Sequence, residues 1–284
     1  MAHCAAPSIG LKTMATYDRV MPSPIQAEQG FAETNVPDSR KLAIIAALER
    51  EVRPLIKDWP IVKREHEGRR FNFFERDGTV VVCGGIGAEA ARRAAEATFC
   101  FYHPPLILSV GFAGALDPTL KAGNIFQPRF VIDVNDGSRV ETRAGTGTLL
   151  TVSSVAGADQ KAKYLKDYGV AAIDMEAAAV ARAARSHSIP FSAVKAISDE
   201  YDFDLPPMER FVSPDGQFRT SAFVAFVSVR PWLWVRTVRL AGNTAKASLA
   251  LCDWLYQYDP DAEKLQNSTP ELHPTKGAFP QTTR

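Results

Sequence analysis

Between residues 41 and 200 the chain alternates short apolar runs with segments whose apolar positions return every three or four residues. The run 41–48 (KLAIIAAL) is almost continuous in apolar side chains, as a strand buried on both faces is. A helical stretch over 50–57 follows and is closed by Trp59-Pro60. Segments 70–76 and 79–84 read as a strand pair joined across Asp77-Gly78. The pattern then predicts a helix over 88–102, stopped by Pro104-Pro105, and a buried strand over 106–110. Further strands are predicted at 125–134, 148–155, 170–174 and 191–197, with helices at 159–168 and 176–187. Strand and helix repeating at this spacing imply an α/β fold: a single domain with a central mixed sheet flanked by helices on both faces. The catalytic domain is expected over 41–258. Residues 1–40 and 259–284 are rich in Pro, Thr and other polar residues and are expected to be a disordered N-terminal segment and a flexible tail.

Against this pattern three carboxylates stand out. Glu176 falls at the switch from strand 170–174 to the Ala-rich helix, where its charge faces the positive end of the helix dipole. Asp199, preceded by Ser198, comes just past the end of strand 191–197, and Glu49 directly follows strand 41–48. In open α/β sheets ligands bind at that edge. A carboxylate among apolar residues is costly to desolvate unless a partner or substrate compensates, so Glu176 and Asp199 are candidates for chemistry. For Glu49 alone, a helix-terminal charge is an equally good reading. The glycines also have two readings. Gly85 and Gly87 sit in a Gly-Gly-Ile-Gly loop that either presents backbone N–H groups to a ligand or merely makes a tight turn, and there is no GK[ST] or complete GxGxxG. Gly111, Ala113 and Gly114 are small enough to let backbone approach a ligand closely.

Taken in order, Ala47-Leu48-Glu49, the 84–87 loop, the run 110–116 (VGFAGAL), the run 174–181 (DMEAAAVA) and Ile197-Ser198-Asp199 resemble the purine nucleoside phosphorylase/nucleosidase superfamily. The stretch 47–52 (ALEREV) is most similar to the methylthioadenosine/S-adenosylhomocysteine nucleosidases. The C-terminal part, with the Asp117-Pro118 pair, resembles instead the hopanoid-associated branch, whose members release adenine from adenosylhopane. The resemblance implies a nucleoside phosphorylase-like three-layer α/β/α fold, a small-molecule nucleoside substrate and no cofactor. It implies hydrolysis of the N-ribosidic bond of a 5′-substituted adenosine, with Asp199 as general acid toward purine N7 and Glu49 as the base that activates water. An apolar strand end is expected to keep Asp199 protonated. Glu176 would hold the ribose hydroxyls, Met175 would pack on the sugar, Ser198 would orient Asp199, and Lys195 would support the water site. Residues 111–114 would wall the substrate. Phe112 stands where many relatives carry a serine, which removes a hydroxyl and fills the space a phosphate would need. Two alternatives stay open: a phosphate-dependent phosphorylase, and a non-catalytic nucleoside-binding or assembly module. A homodimer is expected by analogy.

A formal net charge of +1 and the lack of a basic stripe with interleaved aromatics argue against nucleic acid as a partner. The four cysteines show no CxxC spacing and the five histidines no paired spacing, so no metal site is expected. No signal-peptide run appears in the first forty residues, and a cytoplasmic enzyme is the expectation. The apolar stretch 222–235 is too short for a spanning helix and is broken by Arg230-Pro231. It reads as a helix packed on the sheet or on a second subunit, with a membrane-surface contact through 222–239, carried by Trp232, Trp234, Arg236 and Arg239, as the alternative.

Overall fold

The computed structural model describes residues 42–259. The expected flexible segments at 1–40 and beyond 259 lie outside the described residues. An eleven-stranded sheet forms the centre, flanked by helices on both faces. Its strands are β1 (Leu42–Ala46), β2 (Ile61–His66), β3 (Arg69–Arg76), β4 (Thr79–Cys83), β5 (Ile107–Ala115), β6 (Ile125–Phe126), β7 (Phe130–Asp133), β8 (Arg139–Glu141), β9 (Thr148–Thr151), β10 (Ala172–Asp174) and β11 (Phe191–Asp199). The main path runs β2-β3-β4-β1-β5-β10-β9-β7-β8, and β11 pairs with β5 and β6.

The sheet is mixed as expected. β1 lies parallel between β4 and β5, and β11 lies parallel to β5, whereas β10 pairs antiparallel to the far end of β5. β5 thus serves three neighbours, and its C-terminal half lies at the junction. Three expectations change. β2 was not anticipated, because its alternating IVKREH sequence exposes every second residue and carries four charged or His side chains. The strand expected over 125–134 is two strands separated by the short connection 127–129. Ser198 and Asp199 belong to β11 itself, where a register shift between Ile197 and Asp199 aims them at the site.

On one face of the sheet α2 (Ala88–Tyr102) packs against α4 (Ala177–Ser186). Their contact is made largely of alanines, including Ala91, Ala94, Ala95, Ala181 and Ala184, all buried. Small side chains let the two axes and the sheet approach closely. On the other face α1 (Glu49–Ile56) packs against α6 (Trp234–Gln257) over Ile44, Val52, Leu108 and Leu251. α3 (Ala158–Tyr168) covers a smaller cluster built on Leu116, Leu150 and Ile173. The segment 222–235 is not one helix. α5 (Thr220–Ser228) ends before Arg230-Pro231, a short 3₁₀ turn covers Pro231–Leu233, and α6 starts at Trp234. Proline lacks the N–H and fixes φ, so the chain turns there rather than continuing.

Candidate active site

At the carboxyl ends of β1, β5, β9, β10 and β11 the sheet opens into a cavity of about 370 Å³. Its deep wall is formed by Glu51, Asp174, Glu176, Asp199 and Lys161, and its outer wall by Leu205, Met208, Phe218, Phe223, Val224 and Leu240.

Glu49 does not line this cavity and is exposed, which corrects the expectation placed on it. The carboxylate delivered from the end of β1 is Glu51. The reason is helical geometry. Leu48 caps α1, so Glu51 is the third residue of the helix and can turn back over the first turn, as the acidic member of a capping box does. Its Oε2 accepts the N–H groups of Ala47 at 3.1 Å and Leu48 at 3.2 Å. Burial pushes the Glu51 carboxyl up from its ordinary value, opposed by those N–H groups and by the charges of Lys195 and Arg50.

Gly111 and Gly114 do not act merely as smooth wall. Gly111 has φ +142, and a Cβ there would stand 2.9 Å from Glu51 Oε2. A Cβ on Gly114 would stand 2.9 Å from Asp199 Oδ2 and 3.2 Å from Lys161 Cε. The two glycines of β5 therefore make room for the carboxylates beside them. Phe112, Ala113 and Gly114 line the cavity, while Gly111 lies behind Glu51 and does not.

Asp199 is buried, but its surroundings are not apolar, contrary to the expectation. The Lys161 ammonium forms an ion pair with Asp199 Oδ2 and donates to the Glu200 carbonyl at 2.8 Å. Ser198 Oγ donates to Asp199 Oδ1 at 2.6 Å. Lys161 is 1% exposed and was not anticipated. Removing one partner of such a pair leaves an uncompensated charge and costs about 3–5 kcal/mol.

The DME run supplies two carboxylates. Glu176, before the first turn of α4, accepts Gly87 N–H at 2.8 Å through Oε1 and Met175 N–H at 3.2 Å through Oε2. Its pKa is pushed up to about 7, first by burial and then by the charge of Asp174. Asp174 accepts Thr151 Oγ1 at 2.6 Å and Ala177 N–H at 2.8 Å, closing the start of α4. Its Oδ2 also meets Lys195 Nζ at 2.9 Å. Lys195 is fully buried beneath the cavity rather than in its wall, and donates in addition to Ser109 Oγ at 3.2 Å. Burial works to strip its proton, but the pull of Asp174, Glu176 and Glu51 outweighs it and holds the ammonium above the usual lysine value. Met175 lines the cavity beside Glu176.

The glycine loop is closed to anions. Gly84 N–H donates to Ala46 O at 2.9 Å, Gly85 N–H to Ala47 O at 2.8 Å and Ile86 N–H to Gly216 O at 2.7 Å, while Gly87 N–H is taken by Glu176. Of the two readings, the turn is the one its hydrogen bonds support; Gly87 meets the site through its bond to Glu176, and neither Gly85 nor Gly87 lines the cavity. Among the described residues no cluster of His, Cys, Asp or Glu is arranged to hold a metal ion.

A sheet whose strand ends gather carboxylates around an apolar-walled cavity defines a class, and the comparisons name it. The profile of the phosphorylase superfamily matches residues 41–145 and 135–222, and the chain belongs to that family. A 5′-methylthioadenosine/S-adenosylhomocysteine nucleosidase of Buchnera aphidicola subsp. Schizaphis graminum is 24% identical over 199 residues, covering 57% of this chain and 85% of that protein. The fold is similar to the Streptococcus pyogenes S-adenosylhomocysteine nucleosidase, solved with 5-methylthiotubericidin, at a TM-score of 0.57 and 17% identity over 82% of this chain and 98% of that one. It is similar as well to the futalosine hydrolase of Helicobacter pylori, at a TM-score of 0.55 and 15% identity over 77% and 98%.

Proposed function

We propose that the protein hydrolyses the N-ribosidic bond of a 5′-substituted adenosine and releases adenine. The observation that carries this reading is the charge of the deep wall: Glu51, Asp174, Glu176 and Asp199 face two buried ammonium groups, Lys161 and Lys195. Such a surplus favours the positive charge that develops on a ribosyl ring as the base departs, and it opposes a phosphate dianion. The glycine loop has no N–H left for an anion, and Phe112 fills cavity wall. The one guanidinium lining the cavity among the described residues, Arg50, sits over the Phe218 ring at 5.1 Å. The nucleosidase similarity supports the same reaction.

In this mechanism Glu51 takes a proton from water as the water oxygen bonds C1′, and the C1′–N9 electron pair leaves with the purine. Burial raises the basicity of Glu51 for that task. The purine needs a proton at N7 to depart as neutral adenine. A carboxylate paired with an ammonium accepts rather than donates, so the proton starts on Lys161: it crosses to Asp199 and from there to N7, leaving Lys161 as the neutral amine and Asp199 as the carboxylate. Glu176, anchored by two N–H groups, keeps its remaining lone pairs for the ribose hydroxyls. The apolar outer wall receives the 5′ group and suits an alkyl or hydrocarbon substituent, as in adenosylhopane, better than a charged one. We place the protein in nucleoside salvage in the cytoplasm and expect it to work as a homodimer.

The test is adenine release from methylthioadenosine, S-adenosylhomocysteine, 5′-deoxyadenosine, adenosine, inosine and a 5′-alkylated adenosine, each with and without phosphate. A rate indifferent to phosphate, with a free ribose derivative as second product, is expected. Saturable phosphate activation with recovery of a ribosyl 1-phosphate would make the protein a phosphorylase, and adenine release from none of these nucleosides would favour a binding module.

A further inference from the structure

The corner formed by α5, the 3₁₀ turn and the first half of α6 exposes large apolar side chains that the fold leaves uncovered. Trp232 is 69% exposed, Trp234 51%, Val235 79% and Val238 71%, with Val229 beside them at 70%. Along α6 the stripe continues at helical spacing through Gly242 and Ala245 to Leu249, all exposed. The indole N–H of Trp234 is spent on the Val227 carbonyl at 3.0 Å, so the ring offers solvent only its apolar part. Apolar surface gathered in this way marks an interaction site.

The charges around it select the partner. From Gly216 to Cys252 the chain has Arg219, Arg230, Arg236, Arg239 and Lys246 and no Asp or Glu. Arg236 and Arg239 also meet Asp204 and Glu200, which leaves Arg219, Arg230 and Lys246 as surplus. On α6 the cations Arg239 and Lys246 flank the apolar stripe on the side toward Arg236, the arrangement of a helix lying in a bilayer interface. A second copy would bring the same cations against themselves. An anionic bilayer matches both the apolar centre and the positive rim. No helix among the described residues is long and apolar enough to cross a membrane, so the contact is a surface one.

We propose that this corner docks on the surface of an anionic lipid bilayer. The inner faces of the same helices wall the outer end of the cavity, which reaches the surface beside the exposed Thr220, Val224 and Ala241. Docking therefore brings the cavity mouth to the lipid, where a nucleoside with a long apolar 5′ group would reside. The docking itself stands independently of the reaction and is read without activity.

The full-length protein is sedimented with vesicles of phosphatidylcholine alone and with an equal share of phosphatidylglycerol. Bound protein should be at least about fivefold greater on the anionic vesicles and should fall as salt is raised. The triple variant Trp232→Ser/Val235→Ser/Val238→Ser should lose binding while keeping its rate on a soluble nucleoside, since none of the three lines the cavity. Circular dichroism and thermal unfolding report whether the variant folds; if it does not, the salt dependence of the wild type decides. Binding equal on neutral vesicles, retained by a folded variant, or absent altogether would overturn the proposal. Absence together with a dimer that the variant dissociates would assign the surface to a second copy.

Discussion

At its deep end the cavity is walled by four carboxylates and the Lys161 ammonium, nearly all tied to backbone or to each other, whereas its outer end is walled by hydrocarbon from two helices. The deep groups sit on strand ends or in the first turn of a helix, where the sheet fixes them. The outer groups come from α5, α6 and the loop at 205–218, which pack as a small separate cluster around Phe211, Phe223 and Leu233. In the proposed reaction, chemistry and substrate choice are thus carried by different parts of the chain.

That division predicts the largest effects at the deep end. Glu51→Gln and Asp199→Asn should each lower turnover at least about 10²-fold with little change in substrate binding, whereas Glu49→Gln should stay within about twofold of wild type. Steady-state kinetics on the same nucleoside decides, and a dead Glu49 variant beside an active Glu51 variant would reverse the assignment. Next comes the outer wall. Val224→Asp places a charge against the 5′ group on an exposed helix face and should reduce kcat/KM about tenfold for an alkylated adenosine, but only about twofold for adenosine. Equal losses on both substrates would show that the two ends are coupled.

The smallest effect concerns stability. Glu176 has its pKa raised from 4.5 to about 7 by burial and by Asp174, so between those values the folded state holds a proton that the unfolded chain releases. Stability therefore falls as pH rises through this window and levels off above about 7. Glu51, also raised, acts with the same sign. Thermal unfolding across the window should show a shallower decline for Glu176→Gln than for wild type, and an unchanged slope would remove Glu176 as its source.

How much of this was legible beforehand depended on whether the cause was local. Buried strands such as β1 and β11 announce themselves by unbroken apolar runs, and the order of elements around them follows. Glu176, Met175, Ser198 and Asp199 were found because each adjoins such a run, and all line the cavity. Glu49 stands out in the sequence because it adjoins the apolar run 41–48 directly, and Glu51 does not. The better signal was its partner's place three residues after Leu48, where a helical side chain folds back over the turn. Lys161 gave no such signal. It lies in a polar helix, ADQKAKYLKDY, and its burial follows from a contact with Asp199 across 38 residues of sequence. The spent N–H groups of the glycine loop are equally invisible until the 213–217 turn and Glu176 are in place.

Gly111 and Gly114 give β5 a meaning beyond hydrogen bonding. The strand works as a casting mould, and its two missing side chains are the hollows in which two carboxylates are set. Neither glycine has any chemistry to lose, yet even a single methyl group at either place would contend with a carboxylate for the same space. For anyone altering this scaffold to accept new nucleosides, the freedom lies in the helices at the mouth, and the empty positions of the central strand are the ones to leave empty.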